Sequence, residues 1–279
     1  MAESQLVDIT DDYLVFENVR PVDADGNVIE SYDRLLVARD IEREGGRQRD
    51  FTPYRAALSF EKEDSFSPSF ALTCNLLAAA WRQNDEEAVR SFLLQYKDKG
   101  NGDGWHAQNS VIDWRRGEIV HYPDARDFAE VKPVNEQRKR RALRFTKEGL
   151  GDCLLEEGLK DSHMRRYVRQ LTGLEDPSIL VDIGNYFHKP ARVWVSGSKD
   201  AVRAAWLGCG DNGFNLDGDY LNFSDAARRV RAEGAAREAR QKISDGDSVG
   251  IEEVLKAARL YVSKHSWDGF EQDIRKLKE

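Results

Sequence analysis

Cysteine is scarce in this chain, and long apolar runs are missing. Cys74, Cys153 and Cys209 are spread widely over 279 residues. They form neither a CxxC pair nor an even disulfide framework, which excludes a stapled secreted scaffold and suits a reducing compartment. No stretch approaches the roughly 20 apolar residues of a membrane-crossing helix. The opening MAESQLVDITDDYLVF lacks the basic segment and apolar core of a secretory signal. The expected setting is cytoplasmic, with no membrane partner. Also missing are a GxxxxGK[ST] phosphate loop, zinc-ligand spacing among His121, His163, His188 and His265, and any internal repeat. Gly208, Gly210 and Gly213 spell GxGxxG, but they follow an expected helix instead of a strand, which is the wrong order for a dinucleotide site.

What is present suits an ordinary folded protein. Apolar residues make up 40% of the chain and six are tryptophan, enough for a large core and, at this length, for one or two domains. The net charge of -8 argues against non-specific coating of nucleic acid or anionic membrane. It still allows a local basic face.

Alternating runs such as DYLVFENV, RLLVARDI and YRAALSFE, with a turn at Asp25-Gly26, predict a mostly antiparallel sheet over the first sixty residues. Ser67-Pro68 is the expected start of an apolar helix through FALTCNLLAAAW, and Asp85-Glu86-Glu87 opens a second helix that runs to about Tyr96. The stretch GWHAQNSVIDWRRGEIVHYPD then reads as a hairpin, with strands at 105–114 and 118–122. Beyond Pro133 helical spacing dominates. Met164, Tyr167, Val168 and Leu171 share one face of a helix ended by Gly173, and Asp176-Pro177 starts another. Residues 191–195 form a strand, and Ser198, Ser224 and Ser266 are expected caps of three later helices. The expected fold class is α+β: an antiparallel sheet with helices at 1–130, then a helix-rich domain at 131–279.

Three chemical constellations arise from this reading. His106 starts the hairpin, Asp124 follows it, and Cys153 sits after Asp152, a candidate helix cap whose dipole would favour thiolate. The order histidine, hairpin, aspartate, then cysteine at a helix start resembles that of adenovirus-type and SUMO-type cysteine peptidases, which implies a thiol hydrolase. The pair reads Trp105-His106 rather than His-Trp, however, no glutamine lies close before Cys153, and Leu154 follows it. Second, Glu130 and Lys132 form a Glu-x-Lys triplet which, with Asp113 or Asp124, matches the carboxylate pattern of Mg²⁺-dependent nucleases. Third, Arg138, Lys139, Arg140, Arg141 and Arg144 concentrate positive charge that could meet phosphates, as could RRVRAEGAAREARQK at 228–242.

The bland reading of each is a solvated charged face or a buried core residue, Cys74 above all. Asp211, Asn215, Asp217 and Asp219 lie on a glycine-rich stretch, but Gly213 and Asn222 break the calcium-loop spacing. No cofactor is identified. The leading expectation is a module that binds a macromolecular partner, most readily a protein, with a cysteine hydrolase and a metal-dependent nuclease as alternatives.

Overall fold

The computed structural model describes residues 4–44, 47–48, 50–61, 65–98, 104–122, 142–195 and 201–233. Helices and mostly antiparallel sheets combine in an α+β architecture. A four-stranded sheet runs in the order β1 (Gln5–Ile9), β2 (Tyr13–Val19), β3 (Tyr32–Ala38) and β13 (Val230–Glu233). A seven-stranded sheet runs in the order β8 (Leu143–Arg144), β7 (Glu118–His121), β6 (His106–Asp113), β11 (Val202–Gly210), β12 (Gly213–Asp219), β10 (Ala191–Val193) and β9 (Cys153–Leu154). In the larger sheet only the β10–β12 ladder is parallel. A two-stranded ribbon joins β4 (Arg43–Glu44) to β5 (Arg47–Gln48).

Among the described residues six helices dress these sheets: α1 (Pro53–Glu61), α2 (Phe70–Trp81), α3 (Glu87–Leu94), α4 (Leu155–Gly158), α5 (Ser162–Thr172) and α6 (Ile179–Tyr186). Helix α2 is buried along almost its whole length, as its apolar sequence requires. Its cap is Ser69, whose hydroxyl accepts from the Leu72 N–H at 3.0 Å, and not the expected Ser67. The chain is still extended at Pro68, whose carbonyl accepts from the Asn109 N–H of β6 at 2.9 Å. Helix α5 matches its pattern. Met164, Tyr167, Val168 and Leu171 are all buried, Asp161 caps its start, and Gly173 ends it in the left-handed region at φ 62°.

Several sequence expectations change. YRAALSFE is helix α1, because Pro53 opens it and Ala56, Ala57 and Phe60 bury one helical face. Residues after Ser198 form strand β11, with its paired strand β12 following a tight Gly210–Gly213 turn. Residues after Ser224 continue into β13 instead of a helix. Strands before residue 130 pair with strands after it: β6 with β11, β7 with β8, and β3 with β13. The described residues on the two sides of the expected domain boundary therefore share both sheets and one large core. Residues 142–233 carry six strands and three helices. The helix expected at Ser266 lies outside the described residues.

The two faces of the seven-stranded sheet are covered differently. One meets α2, α4, α5 and α6 through Ile112, Val193, Leu207, Phe214 and Leu216. The other carries a smaller cluster in which Phe51, Ala56 and Phe60 cover Ala107, Val111, Ala204 and Trp206. That cover lies over β6 and β11. Among the described residues, no helix packs on this face over β12, β10 and β9.

Candidate functional site

His106 and Cys153 do not meet. Across the ladders His106 pairs with Leu207, Leu207 with Leu216, Leu216 with Val193, and Val193 with Cys153. Four inter-strand steps of about 4.8 Å separate them by roughly 19 Å. His106 is instead buried at 1% exposure, its ring stacked on Tyr96 at 4.0 Å, with Nε2–H donating to the Gln95 carbonyl at 3.1 Å. Tyr96 adjoins Arg228, which is also buried and which donates to the carbonyls of Ala38 and Arg39 and to Gln95 Oε1. Arg228, expected on a solvated basic face, thus ties three elements together. Cys153 is half-buried on an edge strand, where burial, reinforced by the nearby Asp152 and Asp161 charges, raises its thiol pKa. That is the reverse of nucleophile activation.

Asp113 is committed as well. Its carboxylate accepts from Arg115 Nε at 3.1 Å, Arg115 Nη2 at 3.0 Å and the Arg115 amide at 3.0 Å, locking the hairpin turn. Burial pushes its pKa up, but the Arg115 hydrogen bond and charge, with the Arg115 and Arg116 amides, hold it below the ordinary value. Such a carboxylate is a poor metal ligand. Among the described residues no cluster of histidine, cysteine or carboxylate side chains is arranged to hold a metal ion. Asp124, Glu130, Lys132, Arg138, Lys139, Arg140 and Arg141 lie outside the described residues. Arg144 is exposed on β8 and pairs with Glu118 at 3.5 Å.

A serine–histidine contact does exist, at positions the sequence reading passed over. Ser110 Oγ donates to His121 Nδ1 at 2.8 Å and accepts from the Phe70 N–H at 2.9 Å, while His121 Nε2–H donates to the Gln170 carbonyl at 3.0 Å. Both side chains are at most 1% exposed. A nucleophile must reach its substrate, so this pair is a structural seam. The seam continues nearby through Glu30, which accepts from Ser69 Oγ at 2.6 Å and from Tyr32 Oη at 2.8 Å.

The open sheet face holds the more informative grouping. Paired residues point to the same side of a sheet, so the ladders place Trp206 beside Asp217, and Gly208 beside Asn215, Arg192 and Leu154. Trp194 follows on β10's strand direction, next to Asp217, and donates Nε1–H to Asn215 Oδ1 at 2.8 Å. Trp206 neighbours Asp217 in the ladder but is itself 1% exposed beneath Phe51, Ala56 and Phe60. Phe223 meets Trp206 edge-on at 4.9 Å, and the Arg192 guanidinium lies 5.9 Å from the Trp194 ring centre. Phe223 and Leu154 are each 40% exposed.

Asp217 has little to balance its charge. Its Oδ1 accepts the Gly218 N–H at 2.6 Å, and among the described residues it forms no ion pair. Burial first, then the neighbouring Asp219 and Asp152 charges, push its pKa up to about 6, against the Gly218 N–H and the Arg203 charge. Arg203 itself lies over the Tyr220 ring at 4.1 Å. Sequence reasoning noticed Asp217 only as a calcium ligand on a loop. The signal for the face was the turn sequence Gly210-Asp211-Asn212-Gly213, a hairpin signal hidden by the helix expected after Ser198.

The chain matches no protein-family model, no curated protein and no solved structure. Among the described residues no helix is long and apolar enough to cross a membrane.

Proposed function

We propose that this chain is a binding or regulatory module that docks a partner protein on the open face of β9, β10 and β12. The observation that carries the reading is the group of Leu154 and Phe223, each 40% exposed, beside the partly exposed Arg192, Trp194 and Asp217. Aromatic anchors beside adaptable polar groups are the usual composition of a protein interface. The hydrolase reading loses its support, because three strands lie between its histidine and its cysteine. Nucleic acid is the weaker partner class for this face, since Asp152, Asp217 and Asp219 repel phosphate. A cytoplasmic setting belongs to the same proposal and is supported by three unpaired cysteines.

The test compares proteins that co-purify with the full chain and with a Leu154→Asp, Phe223→Asp double variant, using Val7→Asp as a control on another surface. The reading expects at least one protein to be lost only with the double variant. An identical set from all three forms overturns it.

A further inference from the structure

We propose that the cavity bounded by the Asp23–Asn27 turn, α5 and β8 is a site for an extended, uncharged peptide segment of another protein. β8 and β9 are opposite edges of the seven-stranded sheet, so this is a second site, separate from the docking face.

The cavity holds about 890 Å³, within the range of about 300–1,000 Å³ usual for ligand sites. Gln170 lines it at 3% exposure, and its Oε1 is buried with no hydrogen-bond partner among the described residues. An unpaired buried acceptor costs free energy, which a ligand N–H donating to it would recover. The Gln170 backbone is already held, because its carbonyl accepts from His121 Nε2–H at 3.0 Å. Its terminal torsion is a soft, two-fold rotor, so either end of the carboxamide can turn to the cavity. The edge of the sheet supplies the other groups. Arg144 lies opposite Glu118, and the Phe145 N–H donates to the Gly117 carbonyl at 2.8 Å. By antiparallel alternation the Arg144 N–H and C=O then point away from β7. Among the described residues β8 ends its sheet, so these two groups can pair with an added strand.

The charged groups of the wall are already matched to one another. Asp25 accepts from both Arg166 Nη atoms at 2.7 Å, and Glu118 pairs with Arg144 at 3.5 Å. Asp23 Oδ1 accepts the Asp25 and Asn27 N–H groups at 2.8 Å. What the cavity leaves unmet is therefore amide chemistry, which a peptide backbone complements. Val28, 47% exposed, with Ile29 and Leu143 adds an aliphatic wall for an aliphatic side chain. A nucleobase could also bond Gln170, but among the described residues no aromatic ring lines the cavity to stack on it.

The experiment titrates the full chain with acetyl-Ser-Leu-Ser-amide and follows the Gln170 side-chain amide and the Arg144 backbone amide by NMR. Analogues N-methylated at one backbone nitrogen at a time remove single donors, and adenosine is the competing probe. The peptide should shift both signals. At least one N-methylated analogue should bind about tenfold more weakly, as should the native peptide to Gln170→Met, read at Arg144. Gln170→Met should melt no lower than the native chain, because the oxygen it removes has no bond to lose. Arg144→Pro, tolerated on an edge strand, removes the outward N–H and should weaken the shift at Gln170. No shift, equal affinity for native chain and Gln170→Met, or tighter binding of adenosine than of the peptide each overturns the site. A lower melting temperature for Gln170→Met also overturns it, by showing that the carboxamide is already bonded in the fold.

Discussion

His106 and Cys153 stand on one row of the seven-stranded sheet with Leu207, Leu216 and Val193 between them. The thiol is therefore out of reach of the His106 imidazole, and burial together with Asp152 raises its pKa. Alkylation of the native protein should label Cys153 before the fully buried Cys74 and Cys209, at a rate still climbing as pH passes the ordinary thiol value. His106→Gln should leave that pH profile unchanged. A rate plateau near neutral pH, abolished by His106→Gln, would restore the catalytic pair.

Asp113 predicts a pH signature of the hairpin. Its folded pKa is depressed, so its contribution to stability is present above the unfolded value of 3.8 and is lost as pH falls through the folded one. Asp113→Asn should cost about 1–3 kcal/mol at neutral pH, the worth of charge-assisted hydrogen bonds to Arg115. Denaturant titrations of the variant and native chain should converge in strong acid. A difference independent of pH would mean that the ionised carboxylate does not lock the turn.

Asp217 has the opposite sign. Its pKa rises from 3.8 to about 6 on folding, so the folded state binds more protons across that window and stability falls as pH rises through it. Above the window the cost is complete. Asp217→Asn should consequently stabilise the protein at neutral pH by about 1–2 kcal/mol, a screened fraction of the shift, and by little near the unfolded value. Thermal unfolding across this pH range checks both parts, and destabilisation at neutral pH would show that an ion pair holds the carboxylate.

Ser69→Ala removes two bonds at once, the cap on Leu72 and the donor to Glu30, which is 1% exposed. A lost cap costs about 1 kcal/mol, and a buried carboxylate short of a donor adds about 1–3 kcal/mol. A loss of about 2–4 kcal/mol in chemical denaturation is expected. Ser67→Ala should cost far less, because the Ser67 hydroxyl has no hydrogen-bond partner among the described residues. Equal losses would return the cap to Ser67.

The hairpin and α5 were legible because their patterns are local. His106–Asp113 and Glu118–His121 flank a turn, and the buried face of α5 repeats at helical spacing with a glycine stop. β11 was not legible, because both faces of a central strand are covered and VRAAWLGCG shows no alternation to read. The helix expected after Ser198 also concealed the face of β12. Trp206 and Asp217 come from two strands and Trp194 follows a third, and only the ladder register places them near one another. The separation of His106 from Cys153 was equally unreadable, since sequence order does not give strand order.

The central claim, that the open face of β9, β10 and β12 meets a protein partner, is tested most directly by photo-crosslinking. A benzophenone amino acid placed at position 223 reports on this face, and one at position 7 reports on an exposed strand of the other sheet. The account predicts a discrete cross-linked product in cells from position 223 but not from position 7. No product from position 223, or the same products from both positions, would contradict it.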